Sequence, residues 1–122
     1  MTLQGIKEIL DAEVIVGQDR LSMEVKEGGC SDLITEIPVY GKAGIVLLTG
    51  MTNPAVISAT HDLGAAATIM VRGKRPSPET IQLAEELQMP LLVTDYILYE
   101  AVGRLYGKGL RGCMEKVGEK RE

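Results

Sequence analysis

Ala43-Gly44-Ile45-Val46-Leu47-Leu48-Thr49-Gly50-Met51-Thr52-Asn53-Pro54 is the stretch on which the fold turns. From Ala43 to Thr49 it is a continuous apolar run, the pattern of a strand buried on both faces. Gly50 ends that run. Asn53 is a helix cap, and Pro54 suits the first helical position, where its missing N–H costs nothing. Val56, Ala59, Thr60 and Leu63 then share one face at helical spacing. Strand, glycine turn and proline-started helix thus occur as one unit.

The unit recurs downstream. Ala66 to Val71 is a second buried strand, Arg72-Gly73 a second turn, and Ser77-Pro78 a second cap followed by proline. Thr49-Gly50, Pro54, Ile57 and Leu63 are answered by Arg72-Gly73, Pro78, Ile81 and Leu87. Met89 to Val93 reads as a third buried strand. Thr94 or Asp95 is placed to cap a last helix running to about Tyr106. Strands alternating with helices imply a parallel sheet with right-handed crossovers.

The first half is less regular. Thr2 caps a short helix carrying Leu3, Ile6, Ile9 and Leu10 on one face. Glu13 to Gly17 is a β-branched run ended by glycine. Leu21 to Lys26 alternates apolar and polar and reads as a half-exposed strand that Gly28-Gly29 breaks. Ser31 looks like an N-cap for a short helix with Leu33, Ile34 and Ile37, which Pro38 is expected to end or bend. Together these elements make a single α/β domain over residues 1–112, three-layered, with a largely parallel sheet of successive βα units. Residues 113–122 read as a frayed tail.

Composition narrows the function. The 122 residues are 45% hydrophobic and 25% charged, with formal net charge −4, one His, two Cys, four Tyr, and neither Trp nor Phe. A packed core is expected rather than disorder. The acidic balance argues against a nucleic-acid partner, and the scarcity of aromatics against a base-stacking platform. Cys30, His61 and Cys113 are in no metal spacing, so no metal site is expected. Two cysteines do not form a disulfide framework, and no apolar stretch approaches the ~20 residues of a membrane span. The expected setting is the cytoplasm, with no membrane contact.

In parallel sheets, ligands bind beyond the carboxyl ends of the strands. Three such ends are readable: Thr49-Gly50-Met51-Thr52-Asn53, Arg72-Gly73-Lys74-Arg75 and Thr94-Asp95-Tyr96. The ligand-binding candidates are therefore Thr49, Gly50, Thr52, Asn53, Arg72, Gly73, Lys74, Arg75 and Asp95. Three of the 13 basic residues fall within four positions there, and helix N-termini attract anions. These residue types equally serve as ordinary caps and turns. Ser31-Asp32 could line the same cleft or simply cap a helix. No P-loop is present. Acid and base candidates are limited to Asp95, Asp62, Glu36 and His61, with no paired spacing, so no catalytic residue is assigned.

The last helix carries a second message. Leu98, Ala101, Val102 and Leu105 form its core stripe, while Tyr96, Tyr99, Gly103 and Tyr106 fall within about 80° of arc on another face. Aromatic residues beside a glycine favour an interface, so self-association through this face is expected.

Several of these segments together resemble a DRTGG domain: Val46 to Gly50, Asn53-Pro54, Val71 to Pro76, Leu83 to Leu87, and Met89 to Thr94. Gly17-Gln18-Asp19-Arg20 and Ser31-Asp32-Leu33 look like small stand-alone members, so the likeness spans roughly residues 1 to 110. Arg72 to Thr94 is also similar to the N-terminal domain of HPr kinase/phosphorylase. Asp-Arg-Thr-Gly-Gly is not contiguous here, and Met51 stands where a second glycine would follow Gly50. The resemblance implies a regulatory, non-catalytic role and a tendency to associate. Such domains accompany CBS domains in family pyrophosphatases under adenine-nucleotide control. The expectation is a domain sensing an adenine nucleotide or other phosphate-bearing metabolite and forming a homodimer or larger homo-oligomer. The alternatives are a docking module for a partner metabolic enzyme or regulator and, behind it, a small phosphometabolite enzyme.

Overall fold

The computed structural model describes residues 1–118. Six strands form one sheet: β1 (Glu13–Val16), β2 (Glu27–Cys30), β3 (Val46–Thr49), β4 (Ala67–Met70), β5 (Leu91–Val93) and β6 (Arg111–Gly112). Their order is β1-β5-β4-β3-β2-β6. β6, β2, β3, β4 and β5 run parallel, while β1 pairs with β5 antiparallel at one edge. The expected parallel βα sheet is thus present with one antiparallel strand added.

Five helices cover it: α1 (Leu3–Ile9), α2 (Ile37–Tyr40), α3 (Pro54–Leu63), α4 (Pro78–Leu87) and α5 (Leu98–Gly107). Alternation along the central strands divides the core into two layers. Val46, Leu48, Ala67 and Ile69 pack with Leu3 and Ile6 of α1 and Ala101 and Leu105 of α5. Leu47 and Met70 pack on the other face with Ile37 of α2, Val56 and Ile57 of α3 and Ala84 of α4. β3 and β4 are buried throughout, as their unbroken apolar runs require. The chain steps along β2, β3, β4 and β5 with helices on one face. It then returns over the other face through α5 to reach β6 at the far edge.

The caps of the repeated unit form as read. Asn53 accepts from the Val56 N–H at 3.2 Å and Ser77 from the Thr80 N–H at 3.3 Å, each with proline next in the chain.

Four local expectations differ from the structure. Leu21 to Lys26 is not a sheet strand, because its backbone is committed to the N-terminus. The Leu3 N–H donates to the Met23 carbonyl, Gln4 to Leu21, and Val25 to Met1. Gly28-Gly29 does not break a strand but lies inside β2. A Cβ at Gly28 would meet Leu110 at 3.2 Å, and one at Gly29 would meet Ile45 at 3.2 Å. These glycines let flanking side chains close on the strand. Pro38 stands in the first turn of α2, after Ile37, instead of ending a helix, since a proline there forfeits no intrahelical bond. Neither Thr94 nor Asp95 caps α5, which starts after Ile97 without a side-chain cap. Thr94 is drawn inward, where its hydroxyl donates to the Leu10 carbonyl at 2.7 Å.

The tail is anchored at its start, because the Cys113 N–H donates to the Gly28 carbonyl at 2.9 Å. The end of the expected frayed tail, 119–122, lies outside the described residues. Among the described residues, no helix is long and apolar enough to cross a membrane.

Candidate functional site

The parallel strands β3, β4 and β5 deliver their turns to one rim of the sheet. Thr49 is fully buried at the end of β3, where its hydroxyl accepts from the Met51 N–H at 3.1 Å. That bond shapes the turn and leaves the next N–H, on Gly50, directed at Asp32. Asp32 Oδ1 accepts it at 2.7 Å, while Oδ2 lies 3.7 Å from the Arg72 guanidinium. A carboxylate from the β2 end, a backbone N–H from the β3 end and a cation from the β4 end therefore meet at one point.

The β4 turn is built under constraint. Arg72 has φ +64° and Gly73 has φ +66°, two consecutive left-handed residues. For arginine that conformation costs on the order of 1–2 kcal/mol. Two backbone bonds hold it: the Arg72 N–H donates to the Tyr96 carbonyl at 2.8 Å, and the Gly73 N–H to the Thr94 carbonyl at 2.9 Å. The geometry turns the Arg72 side chain back across Gly50. A Cβ on Gly50 would fall on the guanidinium itself, so the absence of a side chain there makes the seat for Arg72. Asp95 closes over Gly73, with Oδ1 3.0 Å from where a Cβ would stand.

The other candidate residues are placed differently. Lys74, two positions after Arg72, is exposed and makes no ion pair among the described residues. Arg75 is turned to β1, where it binds Glu13 through two bonds of 2.8 and 3.3 Å. This pairing holds the Glu13 carboxyl below its ordinary range, first through the hydrogen bond and then through charge. The Thr52 carbonyl accepts from the buried Thr80 hydroxyl at 2.7 Å, tying the β3 turn to α4. The Asn53 side chain serves as the α3 cap. His61 and Asp62 lie on the surface.

Asp32 is the residue that the pattern of strand ends does not select. Its signal was only its position after Gly28-Gly29, in a segment also readable as a helix cap. Ser31 in fact makes a local turn, accepting from the Leu33 N–H at 3.0 Å.

A half-open cavity of about 350 Å³ lies off these turns, around the β2–β6 edge. Its walls include Gly28, Gly29 and Cys30 of β2, Tyr40 of α2, Val102 and Tyr106 of α5, and Cys113. The Cys30 thiol is pushed above its ordinary pKa, chiefly by burial, with the Asp32 carboxylate and Cys113 adding to the effect. Among the described residues, no group of three or more His, Cys, Asp or Glu side chains is placed to hold a metal.

The expected tyrosine face divides. Tyr96 precedes α5, packs against the core, and lies under Arg104, whose guanidinium carbon is 4.3 Å from the ring centre. Tyr99 is 87% exposed and Tyr106 55% exposed, and Val102 between them is also open to solvent rather than part of the core. The outward apolar stripe is thus Tyr99, Val102 and Tyr106, at i, i+3 and i+7.

A three-layer α/β/α sandwich, with the turns after its parallel strands gathered on one rim, defines the class as an α/β domain. Within that class, the DRTGG domain profile matches residues 5–107, and the chain belongs to the DRTGG domain family. Among solved structures it is similar to the CBS and DRTGG domains of the regulatory region of Clostridium perfringens pyrophosphatase, complexed with the activator diadenosine tetraphosphate. The TM-score is 0.69 at 20% identity, covering 83% of this chain and 44% of that one. This chain therefore spans less than half the length of that neighbour, and the likeness is one of fold. No curated protein matches the chain.

Proposed function

We propose that this chain is a regulatory, non-catalytic domain that senses a phosphate-bearing metabolite, an adenine nucleotide being the leading candidate. The ligand's anionic group would sit at the Gly50 N–H, between Arg72 and Lys74. The observation that carries this reading is the placement of Asp32. Its carboxylate already accepts the Gly50 N–H at 2.7 Å and faces Arg72, so the turn's donors are arranged for an oxyanion. A phosphate oxygen would take the same donors, with Lys74 adding charge and Asp32 moving aside. The structural neighbour's activator, an adenine nucleotide, is in keeping with this ligand class.

The test is calorimetric titration with AMP, ribose 5-phosphate and inorganic phosphate. At least one is expected to bind, with affinity falling about tenfold or more in Arg72→Ala plus Lys74→Ala, since charge-assisted bonds contribute roughly 1.5–3 kcal/mol. Asp32→Asn removes the competing charge and is expected to tighten binding. No binding by any of them, or binding indifferent to all three substitutions, would refute the reading.

A second reading has its own observation, the exposed Tyr99–Val102–Tyr106 stripe. It supports self-association as a homodimer or larger homo-oligomer, or docking on a partner metabolic enzyme or regulator. The setting proposed for either role is the cytoplasm.

A further inference from the structure

The cavity at the β2–β6 edge and the Asp32–Gly50–Arg72 turn lie next to each other along two strands. Cys30 and Ser31 line the cavity, and Asp32 follows them into the turn. Leu48 likewise lines the cavity, and Thr49 and Gly50 follow it. One ligand lying across the ends of β2 and β3 would therefore touch both.

The cavity has its own chemistry. Tyr40 and Tyr106 contribute aromatic walls to a predominantly apolar space, and its volume falls within the range of small-ligand pockets, roughly 300–1,000 Å³. β2 also offers a polar edge there. Along a parallel strand, successive residues direct their N–H and C=O to opposite neighbours. The Ser31 N–H donates to Leu48 on the β3 side, and the Gly28 carbonyl accepts from Cys113 on the β6 side. The Cys30 backbone groups thus face the β6 side, past the last β2–β6 pair at Gly28 and Gly112. Glu36 also lines the cavity and is in no ion pair among the described residues. An apolar slot with a backbone donor, a backbone acceptor and a carboxylate suits a flat ring with N–H donors on its edge.

We infer that this cavity is the ring subsite of the ligand whose phosphate is held at Gly50 and Arg72. The ligand class is a phosphorylated compound bearing an amino-substituted heteroaromatic ring. The ring lies between α2 and α5, with its donor edge toward Glu36 and Cys30. This rests on the anion site proposed above and adds the part that gives it selectivity.

Titration of the full chain with AMP and with ribose 5-phosphate separates the two subsites. AMP is expected to bind at least about tenfold more tightly, a difference of about 1.4 kcal/mol. Val102→Trp, which fills the cavity from a partly exposed helix position, is expected to remove most of that advantage while leaving ribose 5-phosphate binding unchanged. Glu36→Ala, which leaves the apolar walls in place, is expected to reduce it less. Equal affinities for the two compounds would overturn the ring subsite and leave the anion site standing. Binding of neither would overturn both. A Val102→Trp protein that keeps the full AMP advantage, while its sedimentation changes, would make the cavity a subunit contact and overturn the inference.

Discussion

Gly50 matters through the atom it lacks. The Arg72 guanidinium occupies the space where its side chain would begin, so Gly50→Ala must displace it. Because the displaced group is the far end of a flexible side chain, folding stability is expected to change by less than about 0.5 kcal/mol. Ribose 5-phosphate affinity, measured by calorimetry beside a urea melt, is expected to fall about tenfold. A large loss of stability with binding intact would contradict this placement of Arg72. Arg72 itself sits in the left-handed region at φ +64°, a strain that concentrates at functional turns. The sequence presents Arg72-Gly73-Lys74-Arg75 as three equivalent cations. Glu13 separates them by claiming Arg75 from a strand 62 residues away, a pairing that local pattern cannot foresee.

At the scale of elements, the two repeated units owe their helix starts to Asn53 and Ser77. Each accepts a first-turn backbone N–H, that of Val56 and that of Thr80. Asn53→Ala and Ser77→Ala are each expected to cost about 1 kcal/mol, read as a lowered urea midpoint with unchanged slope. These caps, and strands β3, β4 and β5, were legible because local signals and tertiary environment agree there. The Thr2 cap and the Glu13 to Gly17 strand were legible for the same reason, but the stretch from Leu21 to Pro38 was not, because tertiary contacts override its local signals. Gly28-Gly29 carries the turn signature yet forms a strand, since Leu110 and Ile45 close on it. The alternating Leu21 to Lys26 segment spends its backbone bonds on Met1, Leu3 and Gln4. The site shares this division. The Thr49–Gly50 and Arg72–Gly73 turns could be read from strand ends, whereas Asp32 and the cavity depend on where β2 and β6 lie in the sheet.

For the whole molecule, the sheet order puts two features side by side. The crossover through α5 brings β6 to β2, which forms the cavity and leaves Tyr99, Val102 and Tyr106 facing outward. Analytical ultracentrifugation is expected to show a concentration-dependent dimer or larger species in the wild type. Tyr99→Ser plus Tyr106→Ser is expected to shift it toward monomer. A wild-type monomer at several hundred micromolar would remove self-association from the account while leaving the anion site untouched.

The central claim is that the Gly50 N–H, now bonded to Asp32, is the donor a ligand's anion takes. Amide nitrogen–proton correlation spectra recorded during titration with AMP report on that N–H residue by residue. The Gly50 and Gly73 amide signals are expected to move saturably and together in the wild type, and to barely move in Arg72→Ala. Saturable changes elsewhere with Gly50 and Gly73 unmoved, or no change at millimolar AMP and ribose 5-phosphate, would contradict it.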